Sequence, residues 1–314
     1  MGCPRPRDPP HPNCAPTARG ARFALALHGS VSGRRWNAQA GHLMHAPKDL
    51  PSGLFVNLNV SYTDLVRNVM RASGGERYFD TFIHSTVQSN EVRSKLLDMY
   101  QPVASLFYGD YQNLWAPHFK RLGRQLPVSP PFNEIEASRW TSAALALRLV
   151  RQAEVARGAR YARVYLTRPD LQLWRGADLR RYCADRVYSN HGYQPYFPGG
   201  GMRTDFHFVM SSEAAEAFST VDRHLGEFRF GENASNPMDT SGASNDAIRQ
   251  FVQRVVGRPY VPDHLVIGRH EELSRKMGSG AARRASFAAL GPECFDPAVP
   301  EARGGGALSG LTRK

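Results

Sequence analysis

Four short apolar runs recur along the chain, at residues 22–27 (RFALAL), 77–85 (RYFDTFIHS), 103–108 (VASLFY) and 161–167 (YARVYLT). Each is stopped by small, hydrogen-bonding or charged residues, and helical stretches separate them. Runs this short and rich in β-branched and aromatic residues read as buried strands. Strands that alternate with helices form a mostly parallel twisted sheet with helices on its faces, so the expected fold is α/β. Ligands of such sheets sit outside the carboxyl ends of the strands. The residues that end the four runs, His28-Gly29-Ser30, His84-Ser85, Gly109-Asp110 and Arg168-Pro169-Asp170, should therefore converge along one edge.

The intervening stretches fit this frame. Residues 61–72 place Leu65, Val66, Val69 and Met70 on one helical face, with Ser61 in the N-cap position and Gly74-Gly75 as the stop. Residues 90–100 are helical by composition and end before Pro102. The strongest helix covers 136–157, with Trp140, Ala144, Leu147 and Val150 on one stripe and Gly158 as its C-cap. Residues 111–134 are aromatic and proline-rich, too long for an ordinary connection, and read as an insertion. Beyond 167 the pattern predicts a short helix at 176–184, a strand near Val187-Tyr188, a Pro/Gly loop (PYFPGGG) and a strand at 205–210. A helix at 211–218, a last helix at 245–256 and a strand at 264–267 follow. Three regions result: a tail over 1–21, one domain over 22–276, and a basic, Gly-rich tail over 277–314, with both tails expected to be disordered.

Charge narrows the function classes. Lys and Arg number 40 against 28 Asp and Glu, a formal +12, but residues 1–22 carry a net +3 and residues 274–314 a net +4. The body keeps only +5, a balance that suits an enzyme of phosphorylated substrates as well as a nucleic-acid binder. No RRM, KH, zinc-finger or helix-turn-helix signature occurs, so no specific nucleic acid is expected. No apolar run approaches the roughly 20 residues of a membrane-spanning helix. Prolines break the first twenty residues where a cleaved signal would be apolar, and Arg7 disfavours lipidation of the Met1-Gly2-Cys3 start. Cys3, Cys14, Cys183 and Cys294 form no metal-ligand spacing, and Cys183 reads as a small buried residue. Both cytosol and secretory lumen remain open as compartments.

The segment VYLTRPDLQLW carries the most chemistry, because it sets an Arg and an Asp about a Pro at a strand end. Pro169 fixes its own φ and biases Arg168 toward an extended conformation. Asp170 there can ligate a divalent ion that bridges two phosphates, and Arg168 can clamp a phosphate with two parallel hydrogen bonds. The plain structural alternative is a surface ion pair at a strand end.

Several motifs then recur in a fixed order: FALALHG, FDTFIHS, MYQPVASLFY, the long helix opened by RWTSAALAL, YARVYLTRPDL and TDFHFVMSSEAAEAF. In that order, over about two thirds of the chain, they resemble glycosyltransferases of the lipopolysaccharide-core and capsule type (the WavE-like group), found also in algae and protists. The resemblance implies a GT-A-like, Rossmann-like nucleotide-binding fold. It also implies transfer of a sugar from a nucleotide-diphosphate donor to a glycan or lipid-linked acceptor in polysaccharide biosynthesis. It places the first turn, with Gly29 and Arg34, against the nucleotide; His28 and His84, each at the end of an apolar strand, read as either core or nucleotide-facing residues. Arg168 and Asp170 fall at the metal-binding acidic motif, with Mn²⁺ or Mg²⁺ on Asp170 and with Arg168 where a second acid would stand. Asp205 falls near the acceptor, where its carboxylate suits a catalytic base, the plain alternative being a turn former before a strand; residues 199–201, three glycines, form a lid or a plain loop before it. Two alternatives stay open: a relative that binds nucleotide or glycan without catalysis, and a basic nucleic-acid-associated protein.

Overall fold

The structure is a computed structural model, and it describes residues 14, 17–18, 20–30, 35–37, 42–44, 58–87, 90–108, 116–124, 132–169, 171–173, 177–190, 207–228, 247–263 and 267–269. In chain order the strands begin with β1 (Phe23–Ser30), β2 (Arg35–Asn37), β3 (His42–Met44), β4 (Phe79–Thr86), β5 (Ala104–Tyr108) and β6 (Arg163–Thr167). They continue with β7 (Leu171–Leu173), β8 (Val187–Asn190), β9 (His207–Met210), β10 (Tyr260–Asp263) and β11 (Ile267–Arg269). The helices are α1 (Leu58–Leu65), α2 (Asn90–Tyr100), α3 (Ala116–Gly123), α4 (Phe132–Arg157) and α5 (Ser212–Phe218).

Seven strands form the central sheet in the order β10-β8-β9-β6-β1-β4-β5. All neighbours run parallel except β9, which is antiparallel to both β6 and β8. The α/β expectation of a mostly parallel sheet flanked by helices therefore holds. In β1, Phe23 through Leu27 are buried, as continuous apolar runs must be when both faces are covered. Ala24, Ala26, Phe82, Leu166 and Phe208 face the layer of α4 and α5, where Ala143, Ala144 and Ala146 keep α4 close to the sheet. Leu25, Leu27, Ile83, Tyr165 and Val209 face the layer of α1 and α2.

The amino ends of the strands are closed by a polar cluster. Arg22, Arg157 and the Tyr161 hydroxyl all bond the Asp80 carboxylate, the last at 2.7 Å, which ties the starts of β1 and β4 to the end of α4. Burial pushes the Asp80 carboxyl up, but the bonds from Arg22 and Tyr161 outweigh it and hold the group below its ordinary value.

Two local expectations need correction. Ser61 is not the N-cap, because α1 starts one turn earlier at Leu58, whose burial extends the apolar stripe, and Ser61 lies buried inside the helix. The helix then widens into a π-helical turn over Val66–Arg71 before Gly74 and Gly75, both at positive φ. The expected helix at 176–184 is a single 3₁₀ turn, Leu179–Arg181, capped by Asp178. Residues 264–266 of the last expected strand lie outside the described residues; β10 before them joins the main sheet, and β11, from Ile267, pairs antiparallel with β7.

A covalent link joins two distant segments. Cys14 and Cys183 form a disulfide across 169 positions of sequence, with Cα atoms 5.2 Å apart. Thr17 Oγ1 donates to the Arg180 carbonyl at 3.2 Å beside it. Both Cys14 and Thr17 fall within the stretch read as a tail over 1–21; residues 277–314 lie outside the described residues.

Candidate functional site at the carboxyl edge

The chain passes from β1 to β4 and on to β5 with α1 and α2 on one face, then recrosses through α4 on the other face to enter β6 on the far side of β1. The strand order therefore reverses between β1 and β6, and a crevice opens at such a switch point. Gly29 at the end of β1 and Arg168 just past β6 meet there. Leu27 pairs with Thr167 in the register, so Arg168 and Pro169 follow at the level of His28 and Gly29. A Cβ built on Gly29 would stand 3.4 Å from Arg168 Nη1 and 3.6 Å from its Cζ. The guanidinium thus lies against the Gly29 backbone, half-exposed, while Pro169 behind it is buried.

Gly29 is needed for its backbone as much as for its size. Its φ is 104°, a conformation that L side chains rarely adopt, whereas 3.4 Å is ordinary van der Waals contact. The turned peptide is held by side chains from two other elements. Gly29 N–H donates to Ser142 Oγ at 2.9 Å, and Ser85 Oγ donates to the Gly29 carbonyl at 2.6 Å. Ser142 Oγ in turn lies 2.7 Å from His84 Nδ1 and donates to the His84 carbonyl at 3.3 Å. His84 packs edge-on against Tyr108 with ring centroids 4.4 Å apart, and its register partner across the sheet is His28.

Burial sets the protonation of this group. His28 and His84 are both inaccessible to solvent, and desolvation lowers the His84 pKa to about 3, so its imidazole is neutral at physiological pH. Burial likewise pushes the Tyr108 hydroxyl up, leaving it protonated. Arg168 therefore lies beside a group that is itself neutral and hydrogen-bonded, and a guanidinium is the side chain best shaped to clamp a compact anion.

Of the residues singled out in the sequence, the structure brings His28, Gly29, His84 and Arg168 to this edge. Arg34, Asp170 and Asp205 lie outside the described residues, as do Gly109, Asp110 and the glycines at 199–201. Among the described residues no three His, Cys, Asp or Glu side chains group as a metal site. No described helix is long and apolar enough to cross a membrane. Ser142 and Tyr108 were not foreseen, and Ser85 was expected at this edge only as a strand-end residue. Ser142 had a visible signal: with Thr141 it places a hydroxyl pair next to Trp140 and Ala144 on the stripe of α4 that faces the sheet.

The class defined so far is a doubly wound α/β protein with Arg168 against the Gly29 turn where its strand order reverses. No known family model matches the chain, and no curated protein matches it in sequence. Among solved structures it is similar to mouse xyloside xylosyltransferase 1 in its apo form. The likeness has 9% identity and a TM-score of 0.39, and covers 77% of this chain and 84% of that one. So distant a likeness leaves the case for function to this chain's own residues.

Proposed function

We propose that the protein is a glycosyltransferase that moves a sugar from a nucleotide-diphosphate donor to a hydroxyl acceptor, with the diphosphate at Gly29 and Arg168. One observation carries the reading: the Arg168 guanidinium lies against the Gly29 backbone at the point where the strand order reverses. The order of motifs from FALALHG to TDFHFVMSSEAAEAF supports it.

In such a transfer the bond between the sugar's anomeric carbon and the phosphate oxygen breaks, and a bond from that carbon to the acceptor oxygen forms. The departing diphosphate keeps the electron pair of the broken bond, and its charge must be neutralised. Arg168, planar and permanently charged, does so with two parallel hydrogen bonds. The acceptor hydroxyl loses its proton to a carboxylate, the role assigned to Asp205. Asp170, directly after the buried Pro169, is the one acid of its motif. A single carboxylate together with substrate phosphates is a common way to hold Mg²⁺, so Asp170 would hold Mn²⁺ or Mg²⁺ if the donor brings one. The ion would add positive charge at the diphosphate.

Thermal shift with UDP-, GDP- and CMP-sugars, each with and without Mn²⁺, tests the reading. At least one donor at a hundredfold excess over its Kd should raise Tm by about 5 °C. Arg168→Lys should abolish that shift in a folded protein, because an ammonium cannot reproduce the fork. A shift that survives Arg168→Lys but disappears in Asp170→Asn, and only with Mn²⁺, would move charge neutralisation to the metal. No shift from any donor, or equal shifts in both variants, would remove the diphosphate from this turn.

A further inference from the structure

We infer that Ser142 and Ser85 are positioning residues that hold the Gly29 peptide at the carboxyl end of β1 and so fix the surface on which the Arg168 guanidinium lies; the use of that position for a diphosphate rests on the function proposed above. Both polar atoms of Gly29 are bonded by side chains: its N–H donates to Ser142 Oγ at 2.9 Å, and its carbonyl accepts from Ser85 Oγ at 2.6 Å. The two serines come from opposite directions, Ser142 from the helix layer above the sheet and Ser85 from the adjacent strand β4. Between them they clamp the peptide at a φ of 104°.

Ser142 is itself anchored. Its single hydroxyl proton cannot serve both His84 Nδ1, 2.7 Å away, and the His84 carbonyl, 3.3 Å away. All the bonds are made together only when His84 Nδ1–H donates to Ser142 Oγ, Gly29 N–H donates to the same oxygen, and the hydroxyl donates to the His84 carbonyl. That arrangement selects the Nδ1–H tautomer of His84, whose ring is braced by Tyr108 at 4.4 Å. The result is a continuous path from β5 through β4 and α4 to β1, ending under Arg168. A hydroxyl buried beside Ala143 and Ala144 is costly to desolvate, and here the cost is offset by bonds to the ends of β1 and β4. That is the signature of a part whose work is to set geometry.

The test pairs structure with binding. Crystal structures of wild type and Ser142→Ala should show the Gly29 peptide rotated and the Arg168 guanidinium displaced in the variant. Titration calorimetry with inorganic pyrophosphate and with UDP should show a loss of roughly fivefold in affinity for Ser142→Ala, about what one net hydrogen bond provides. The same substitution in an Arg168→Ala background should cost nothing further, because its effect passes through Arg168. An unmoved Gly29 and Arg168 in Ser142→Ala, or equal losses in both backgrounds, overturns the inference. Ser85→Ala removes the other bond to Gly29 and gives the same readout should Ser142→Ala fail to fold. If Arg168→Ala binds pyrophosphate and UDP as wild type does, the diphosphate reading falls, while the position of the guanidinium in Ser142→Ala still decides whether the serines place it.

Discussion

At Gly29 a positive φ and a close guanidinium coincide, and the two make different demands. The neighbouring Nη1 would leave a methyl group in ordinary contact at 3.4 Å, so space alone would admit alanine. The φ of 104° does not. Gly29→Ala should therefore cost on the order of 1–3 kcal/mol in urea unfolding, the usual range for a strained backbone position, and should relieve the strain by turning the peptide away from Ser142. A Gly29→Ala protein as stable as wild type would show the turn to be unstrained. His84 makes a second prediction through its charge. Its folded pKa, about 3, lies below the ordinary 6.5, so between those values the unfolded chain binds the proton and the folded one does not. Stability should then rise with pH across that window, by up to about 1.4 kcal/mol per pH unit, and be fully present above pH 6.5. Denaturant midpoints measured from pH 4 to 7 should show the slope, and His84→Phe should flatten it. Asp80, held below its ordinary value, adds its own loss only at the acid end.

Among the elements, what could be read in advance depended on whether local pattern or distant partners decide the structure. The helix expected at 90–100 is α2, Asn90–Tyr100, because its composition and the following Pro102 are both local signals. The long helix is α4, ended at Gly158 with φ 67° as a C-cap requires. Its start at Phe132, four residues ahead of expectation, falls in a proline-rich stretch that masks the period. The burial of Leu58 lengthened α1 upstream of Ser61, a tertiary effect that no N-cap pattern contains. The three-residue strands β2, β3, β7 and β11 are too short to show alternation and exist through their pairings alone. The site divides the same way. Gly29, His84 and Arg168 stood at strand ends, where a general rule for parallel sheets looks for ligands. That Ser142 would reach Gly29 across 113 positions depended on how α4 lies over the sheet, which only the folded chain determines.

For the whole molecule, the Cys14–Cys183 disulfide separates two things the sequence left joined, stability and site. Its spacing of 169 residues carries no local sign, and Cys183 was foreseen only as a small buried residue. The bond fastens the segment before β1 to the 3₁₀ turn that follows β7, on the layer of α1 and α2. There Ser73 Oγ accepts from Leu179 N–H at 2.9 Å and donates to the Ala177 carbonyl at 3.2 Å. A cross-link closing so long a loop restricts the unfolded chain, and such bonds typically contribute about 2–4 kcal/mol. Cys14→Ser should accordingly lower Tm by several degrees, dithiothreitol should lower that of wild type equally, and dithiothreitol should leave Cys14→Ser unchanged. A chain begun at residue 20 lacks Cys14 and should match the variant. Gly29, Ser142 and His84 are tied to α4 on the opposite face of the sheet, so the cross-link and the site should act independently. Pyrophosphate affinity of folded Cys14→Ser, taken well below its Tm, should equal that of wild type. A parallel fall in stability and affinity would instead mean that the α1 layer transmits to Arg168 through β1, whose Leu25 and Leu27 it buries.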